Sequence, residues 1–177
     1  NKWTNDSPIL ATINYGEAVQ NVTESVISVT NGTKSNFVNT GSTTFTLNVT
    51  PTADGDVTVS VPVGDATNQI KDGGGNFAYG ASATIKSDRT APATTDDVPS
   101  GWQTADFTIT FTPNDGTGSG VANVKYTTDN TDPTTSGTAV TDNASPYQFT
   151  IATDGQYTIK YFATDNVGNA EAVKTAT

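Results

Sequence analysis

Phe45-Thr46-Leu47-Asn48-Val49-Thr50, the bend Pro51-Thr52-Ala53-Asp54-Gly55, and then Asp56-Val57-Thr58-Val59-Ser60-Val61 decide the fold. Phe45, Leu47 and Val49 fall on one side of an extended chain, and Thr46, Asn48 and Thr50 on the other. Val57, Val59 and Val61 repeat the pattern after the bend. A side-chain period of two is the mark of a strand with one buried face. β-branched Val and Thr suit that pleated surface. The stretch reads as a hairpin, two antiparallel strands joined at Pro51–Gly55.

The same style extends in both directions. Ile9, Ala11, Ile13 and Tyr15 alternate with Leu10, Thr12 and Asn14. Val26 to Thr30 reads as a short strand, Asn31-Gly32 as a tight turn, and Thr33 to Asn39 as the returning partner. Residues 64–77 form a loop around Asp72-Gly73-Gly74-Gly75-Asn76, and Ala81 to Ser87 is a strand. Farther on, Phe107, Ile109 and Phe111 alternate with threonines, and further strands are expected at Val121–Thr128, Tyr147–Ile151, Tyr157–Tyr161 and Ala170–Thr175. No segment carries a helical period of useful length. Short strands at regular spacing with turn clusters between them predict an all-β chain of two β-sandwiches. Ser87-Asp88-Arg89-Thr90-Ala91-Pro92 punctuates the middle, with the only Arg and a Pro that disfavours helix before it. It predicts domains over 1–89 and 90–177.

Composition narrows the function. The formal net charge is -10 and the pI about 4.1, with eight basic residues scattered along the chain. Nucleic acid needs clustered Lys and Arg, so it is not expected as a partner. No run of about 18 apolar residues occurs, so no membrane span is expected. The chain has no Cys and no His, which removes disulfides, thiolate metal sites and the common nucleophile–base pairs. Glu17, Glu24 and Glu171 are the only glutamates, and none lies in a cleft-forming context. The expectation is no enzyme. Starting at Asn1 without a signal-like segment, the sequence reads as a processed product or a piece of something longer.

Particular words carry a resemblance. Val29-Thr30-Asn31-Gly32-Thr33, Thr50 to Gly55 and Val57 to Pro62 resemble bacterial Ig-like repeats of large surface proteins, with Ser7-Pro8-Ile9 and Glu17-Ala18-Val19 fitting the early strand. The second half resembles another Ig-like module, related to the C-terminal domain of chitobiase and hexosaminidase enzymes. Its words are Gly101-Trp102, Gly118-Ser119-Gly120-Val121, Tyr126 to Asp129 with Asp132-Pro133, and Tyr161 through Asn169. The resemblance implies two immunoglobulin-like β-sandwich domains in tandem and a non-catalytic spacer or accessory role. It also implies an extracellular or cell-surface location in a bacterium or archaeon. Neighbouring Ig-like modules of the same protein or identical subunits are the implied partners. Repeats like the first half usually carry a strand ahead of Ser7-Pro8, so the first domain reads as missing its first strand. A strand donated by a neighbour would satisfy that edge and make the chain a filament subunit. The remaining alternative is an accessory module of a polysaccharide-degrading enzyme that contacts cell-surface glycan.

One metal site is expected. Calcium takes oxygen ligands from Asp, Asn and backbone carbonyls in loops. In an Ig-type sandwich the turn at Asn114-Asp115 and the turn at Asp165–Asn169 lie at one end, where the first strand also begins. Asp88, Asp115, Asp165 and Asn169 are therefore the expected calcium ligands. The plainer alternative is that Asp165-Asn166-Val167-Gly168-Asn169 is a turn built from left-handed-tolerant residues. Asp54 with Asp56 and Asp72 with Asn76 offer sparser oxygen sets. Trp102 is expected to plug the core, and Trp3 and Phe162 to be exposed.

Overall fold

The computed structural model describes residues 2–176. It divides into two compact units, Asn1–Arg89 and Thr90–Thr177. The first unit contains β1 (Trp3–Thr4), β2 (Ile9–Asn14), β3 (Val19–Gln20), β4 (Ser28–Thr30), β5 (Gly32–Asn39), β6 (Thr44–Pro51), β7 (Gly55–Val61), β8 (Lys71–Asp72) and β9 (Ala81–Ser87). The second contains β10 (Ala93–Asp96), β11 (Phe107–Asn114), β12 (Val121–Thr127), β13 (Val140–Asp142), β14 (Tyr147–Ile151), β15 (Ile159–Asp165) and β16 (Lys174–Ala176). The all-β class agrees with the alternation, and the only helical turn described is a 3-10 turn at Glu24–Val26.

In the first unit one sheet runs β1-β9-β7-β4, the facing one β2-β6-β5, and β3 pairs with β8 alongside. Phe45, Leu47, Val49, Val57 and Val61 are buried between the sheets, as their spacing predicts. The hairpin reading is wrong, however. β6 pairs with β2 and β5, whereas β7 pairs with β4 and β9. The bend at Pro51–Gly55 is an arch that carries the chain from one sheet to the other. The presumed partner of residues 26–30 fails in the same way: β4 lies against β7, and β5 crosses to β6.

A shared clamp explains both crossings. Asn31 adopts a left-handed φ of 56° where β4 passes to β5. Its Oδ1 accepts the Thr52 hydroxyl (2.9 Å) and the Ala53 N–H (3.1 Å), and its Nδ2 donates to the Ala53 carbonyl (2.9 Å). The two arches are thereby bonded side by side. Gly32 follows because a Cβ there would lie 2.8 Å from Val49 Cγ1. The expected loop at 64–77 also has a packed interior, since Ile70 is fully buried with Val19, Val22 and Phe45.

The second unit stacks a β10-β11-β14 sheet on a β13-β12-β15-β16 sheet. Ile109, Phe111, Val124, Tyr126, Tyr147, Ile151, Ile159, Tyr161 and Ala163 form the core. Phe111 and Tyr161, from opposite sheets, bring their ring centroids to 4.6 Å. Phe162 is buried and Trp3 half-buried beneath Lys86, whose Nζ stands 5.1 Å from the ring centroid; neither is the exposed aromatic expected from sequence. Trp102 is the reverse case. It is 87% exposed, on the loop between β10 and β11, and plugs nothing.

Glu171 ties the two sheets of this unit together. Its side chain is 6% exposed, and its carboxylate accepts the Thr94 N–H (3.0 Å), the Thr94 hydroxyl and the Ala163 N–H (2.9 Å). Lys174 Nζ pairs with it at 2.9 Å. Thr94 belongs to β10 and Ala163 to β15, so one side chain bridges the layers. Burial pushes the Glu171 pKa up, but the bonds from Thr94, Lys174 and Ala163 outweigh it and hold the group below its ordinary 4.5. Nearby, burial and then the hydrogen bond to Asp96 push the Tyr161 phenol well above its ordinary 10.0.

A folded-state pKa below the unfolded value means that the unfolded chain binds the proton more readily. The Glu171 contribution is therefore complete above about pH 4.5 and disappears as the pH falls through the lowered folded value. Glu171→Ala is expected to cost about 2–4 kcal/mol at pH 7, because it strands buried N–H groups and a cation. Urea unfolding of wild type and variant should show that gap narrowing by pH 3. A gap unchanged with pH would contradict an ionic clasp.

Candidate functional site

The two acidic turns of the second unit meet at one end of the sandwich. β11 ends at Asn114 and β12 begins at Val121, so Asp115 sits in their connection. The loop is self-bonded: Asn114 Oδ1 accepts the Gly116 N–H (2.8 Å), the Asp115 carbonyl accepts the Gly118 N–H (2.9 Å), and Asp115 Oδ2 accepts the Gly120 N–H (2.7 Å). Asp165 is the last residue of β15 and is 2% exposed. Its Oδ1 accepts the N–H groups of Val167 (2.9 Å) and Asn169 (2.8 Å), and its Oδ2 accepts Asn169 Nδ2 (2.6 Å).

Asn166 locks the turns to one another. Its N–H donates to the Gly120 carbonyl (2.9 Å), and its Nδ2 donates to the carbonyls of Ser119 (2.8 Å) and Gly120 (2.9 Å). A carboxylate oxygen of Asp115 and one of Asp165 come within 4.8 Å of each other. Two carboxylates that close repel unless a cation or a dense set of donors compensates them. Here N–H donors supply part of the compensation, and an ionised carboxylate still offers about four acceptor sites. Of the expected ligands, Asp115, Asp165 and Asn169 thus gather in the second unit. Asp88 follows β9 in the first unit, fully buried, with its N–H on the Thr4 carbonyl (2.9 Å).

The sparser oxygen sets have other duties. Asp56 pairs with Lys86 at 2.8 Å, and Asp54 Oδ1 accepts the Arg89 N–H at 2.8 Å. Asp72 clasps its glycine loop through the Asn76 N–H (2.9 Å) and Nδ2 (2.8 Å), and the bonds from Asn76 hold its pKa below 3.8. Glu171 is the buried acid that reading for clefts overlooked. Its only sequence signal is a glutamate two residues beyond a turn that ends at Asn169.

Residues 2–89 match the family model described as bacterial Ig-like domain, and residues 108–177 match the one described as Fn3 associated. The chain is a bacterial Ig-like domain followed by an Fn3-associated domain. Similar solved structures include the fibronectin(III)-like modules of Clostridium thermocellum CbhA, at 16% identity and a TM-score of 0.42, covering 98% of this chain and 85% of that one. The Yersinia pseudotuberculosis adhesin InvE is similar at 14% identity and a TM-score of 0.31, covering 99% of this chain and 55% of that one. No curated protein matches. In the Fn3-associated domain, the paired turns at Asp115 and Asp165 are the densest gathering of oxygen donors described above.

The Ig-like domain carries a different feature. β2 has β6 on one side only, and β9 meets β1 only at Lys86 and Ser87. Among the described residues no strand lies on that side of Ala81–Ile85. Between the two open edges runs a groove of about 580 Å³ lined by β2, Val49, Val57, Val59, Val61 and residues 81–85. Leu10 on its rim is 67% exposed.

Proposed function

We propose that the chain is a non-catalytic structural spacer of a large secreted or cell-surface protein, an adhesin-like stalk segment joined to further Ig-like modules. The observation that carries this reading is the employment of the buried acids. Glu171 and Asp165 each accept several hydrogen bonds from the strands and turns they hold. Groups committed in that way serve rigidity. An acid catalyst would be expected to face a cleft with its pKa raised toward the working pH.

Calcium is the finer part of the proposal. The Asp115–Asp165 pair supplies two carboxylates, Asn169 adds an amide, and Asp88, two residues ahead of the second unit, is the further ligand proposed from the sequence. At ten times its Kd a ligand adds about 1.4 kcal/mol, which moves the melting temperature of a domain this size by roughly 5–10 °C. Melting with calcium and with chelator should differ by that amount, and Asp165→Asn should remove the difference. Superimposable curves for the unmodified chain would overturn the metal.

The groove of the Ig-like domain favours a second reading, a filament subunit that accepts a strand from an identical neighbour. Its two open edges supply backbone partners, and its apolar floor takes alternate side chains of an extended segment. Sedimentation velocity over a hundredfold concentration range separates the readings. A spacer stays monomeric throughout, whereas ladders of oligomers lost on Leu10→Lys would establish the filament and displace the spacer.

A further inference from the structure

We propose that the Fn3-associated domain holds a neutral oligosaccharide on Trp102. This does not depend on the spacer reading. The loops joining β10 to β11 and β14 to β15 flank an open cleft of about 700 Å³, within the size range of small-ligand sites. Trp102 stands at this cleft 87% exposed, although an indole can withdraw 150–250 Å² from water. The turn that presents it is internally hydrogen-bonded. Gly101 takes a φ of 76°, and Gln103 Nε2 donates to the carbonyls of Ser100 (3.3 Å) and Gly101 (3.2 Å). The indole is therefore offered from a hydrogen-bonded turn.

The rest of the lining selects the class of ligand. Tyr157 adds a second ring, its hydroxyl held by Thr153 at 2.6 Å. Gln156, Asp106 and Asp154 add amide and carboxylate groups around the rim. No lysine or arginine lines the cleft, and its charged residues are the two aspartates, so anionic ligands are disfavoured. An uncharged ligand with flat C–H faces and many hydroxyls fits this combination of ring, amide and acid, and a sugar chain has that chemistry. The cleft lies at the end of the domain away from Asp115 and Asp165, because the connections of an antiparallel sandwich alternate between its ends.

The probes are cellohexaose, xylohexaose, chitohexaose, mannohexaose and maltohexaose, titrated into the whole chain carrying Trp3→Phe so that Trp102 is the sole reporter. At least one should blue-shift the emission and protect it from acrylamide, and calorimetry on the otherwise unmodified chain should give saturable binding. Trp102→Ala should weaken that binding about tenfold or more without lowering the melting temperature. Trp102→Tyr should recover part of it. Silence from all five sugars up to about 10 mM would overturn the proposal. Tighter binding of oligogalacturonate, titrated beside them as an anionic control, would overturn the neutral class. Protection of Trp102 that rises with protein concentration alone would reassign the ring to self-association, and a fall of several degrees in the Trp102→Ala melting temperature would make it a packing residue.

Discussion

Everything in this chain rests on one constraint: each sandwich closes chiefly by apolar burial between its two sheets. There is no Cys to cross-link the sheets. The burial is concentrated in a few alternating positions. Leu47 and Val49 on one sheet of the Ig-like domain meet Val57 and Val61 on the other, and Phe111 meets Tyr161 in the Fn3-associated domain. Fully burying such a side chain contributes about 1.5–3 kcal/mol, whereas an exposed ion pair such as Lys86–Asp56 contributes about 0–1 kcal/mol. Core residues therefore outweigh exposed ion pairs, and among the polar devices the buried, multiply bonded Glu171 adds to stability as well as to specificity.

Those devices decide which strands meet. Asn31 bonds one arch to the next, so that β4 and β5 go to different sheets, as do β6 and β7. Glu171 performs the corresponding task in the Fn3-associated domain, where it joins β10 to β15. Arg89 finishes the Ig-like domain by donating its N–H to Asp54 and its guanidinium to the Pro51 carbonyl (3.3 Å). In each case a polar side chain satisfies backbone groups of a segment distant in sequence. Such groups are costly to leave unpaired.

How much of this was legible depends on the range of the interaction. Strand faces are local, and the alternation from Phe45 to Val61 and from Phe107 to Phe111 marked the buried residues correctly. Pairing is not local. A five-residue bend at Pro51–Gly55 serves a hairpin or an arch equally well, and the deciding contact comes from Asn31, about twenty residues upstream. The short strands β10 and β13 carry Thr and Asp in place of an apolar alternation, so nothing marked them. Trp102 shows the converse error, since an aromatic next to a strand looks like core until the loop before Phe107 is seen to hold it outside. Asp115 and Asp165 were legible because turn residues flank them and sandwich topology brings alternate loops together. Glu171 was not, because its partners lie in β10 and β15.

Under the proposed spacer role, load passes through two separately closed cores. Stretching the single chain by its ends in an optical trap or force microscope tests that most directly. The account predicts two rupture events, each releasing about 300 Å of chain, as expected for units of Asn1–Arg89 and Thr90–Thr177 at ~3.4 Å per residue. One rupture releasing about 600 Å, or extension without a resolvable barrier, would contradict it.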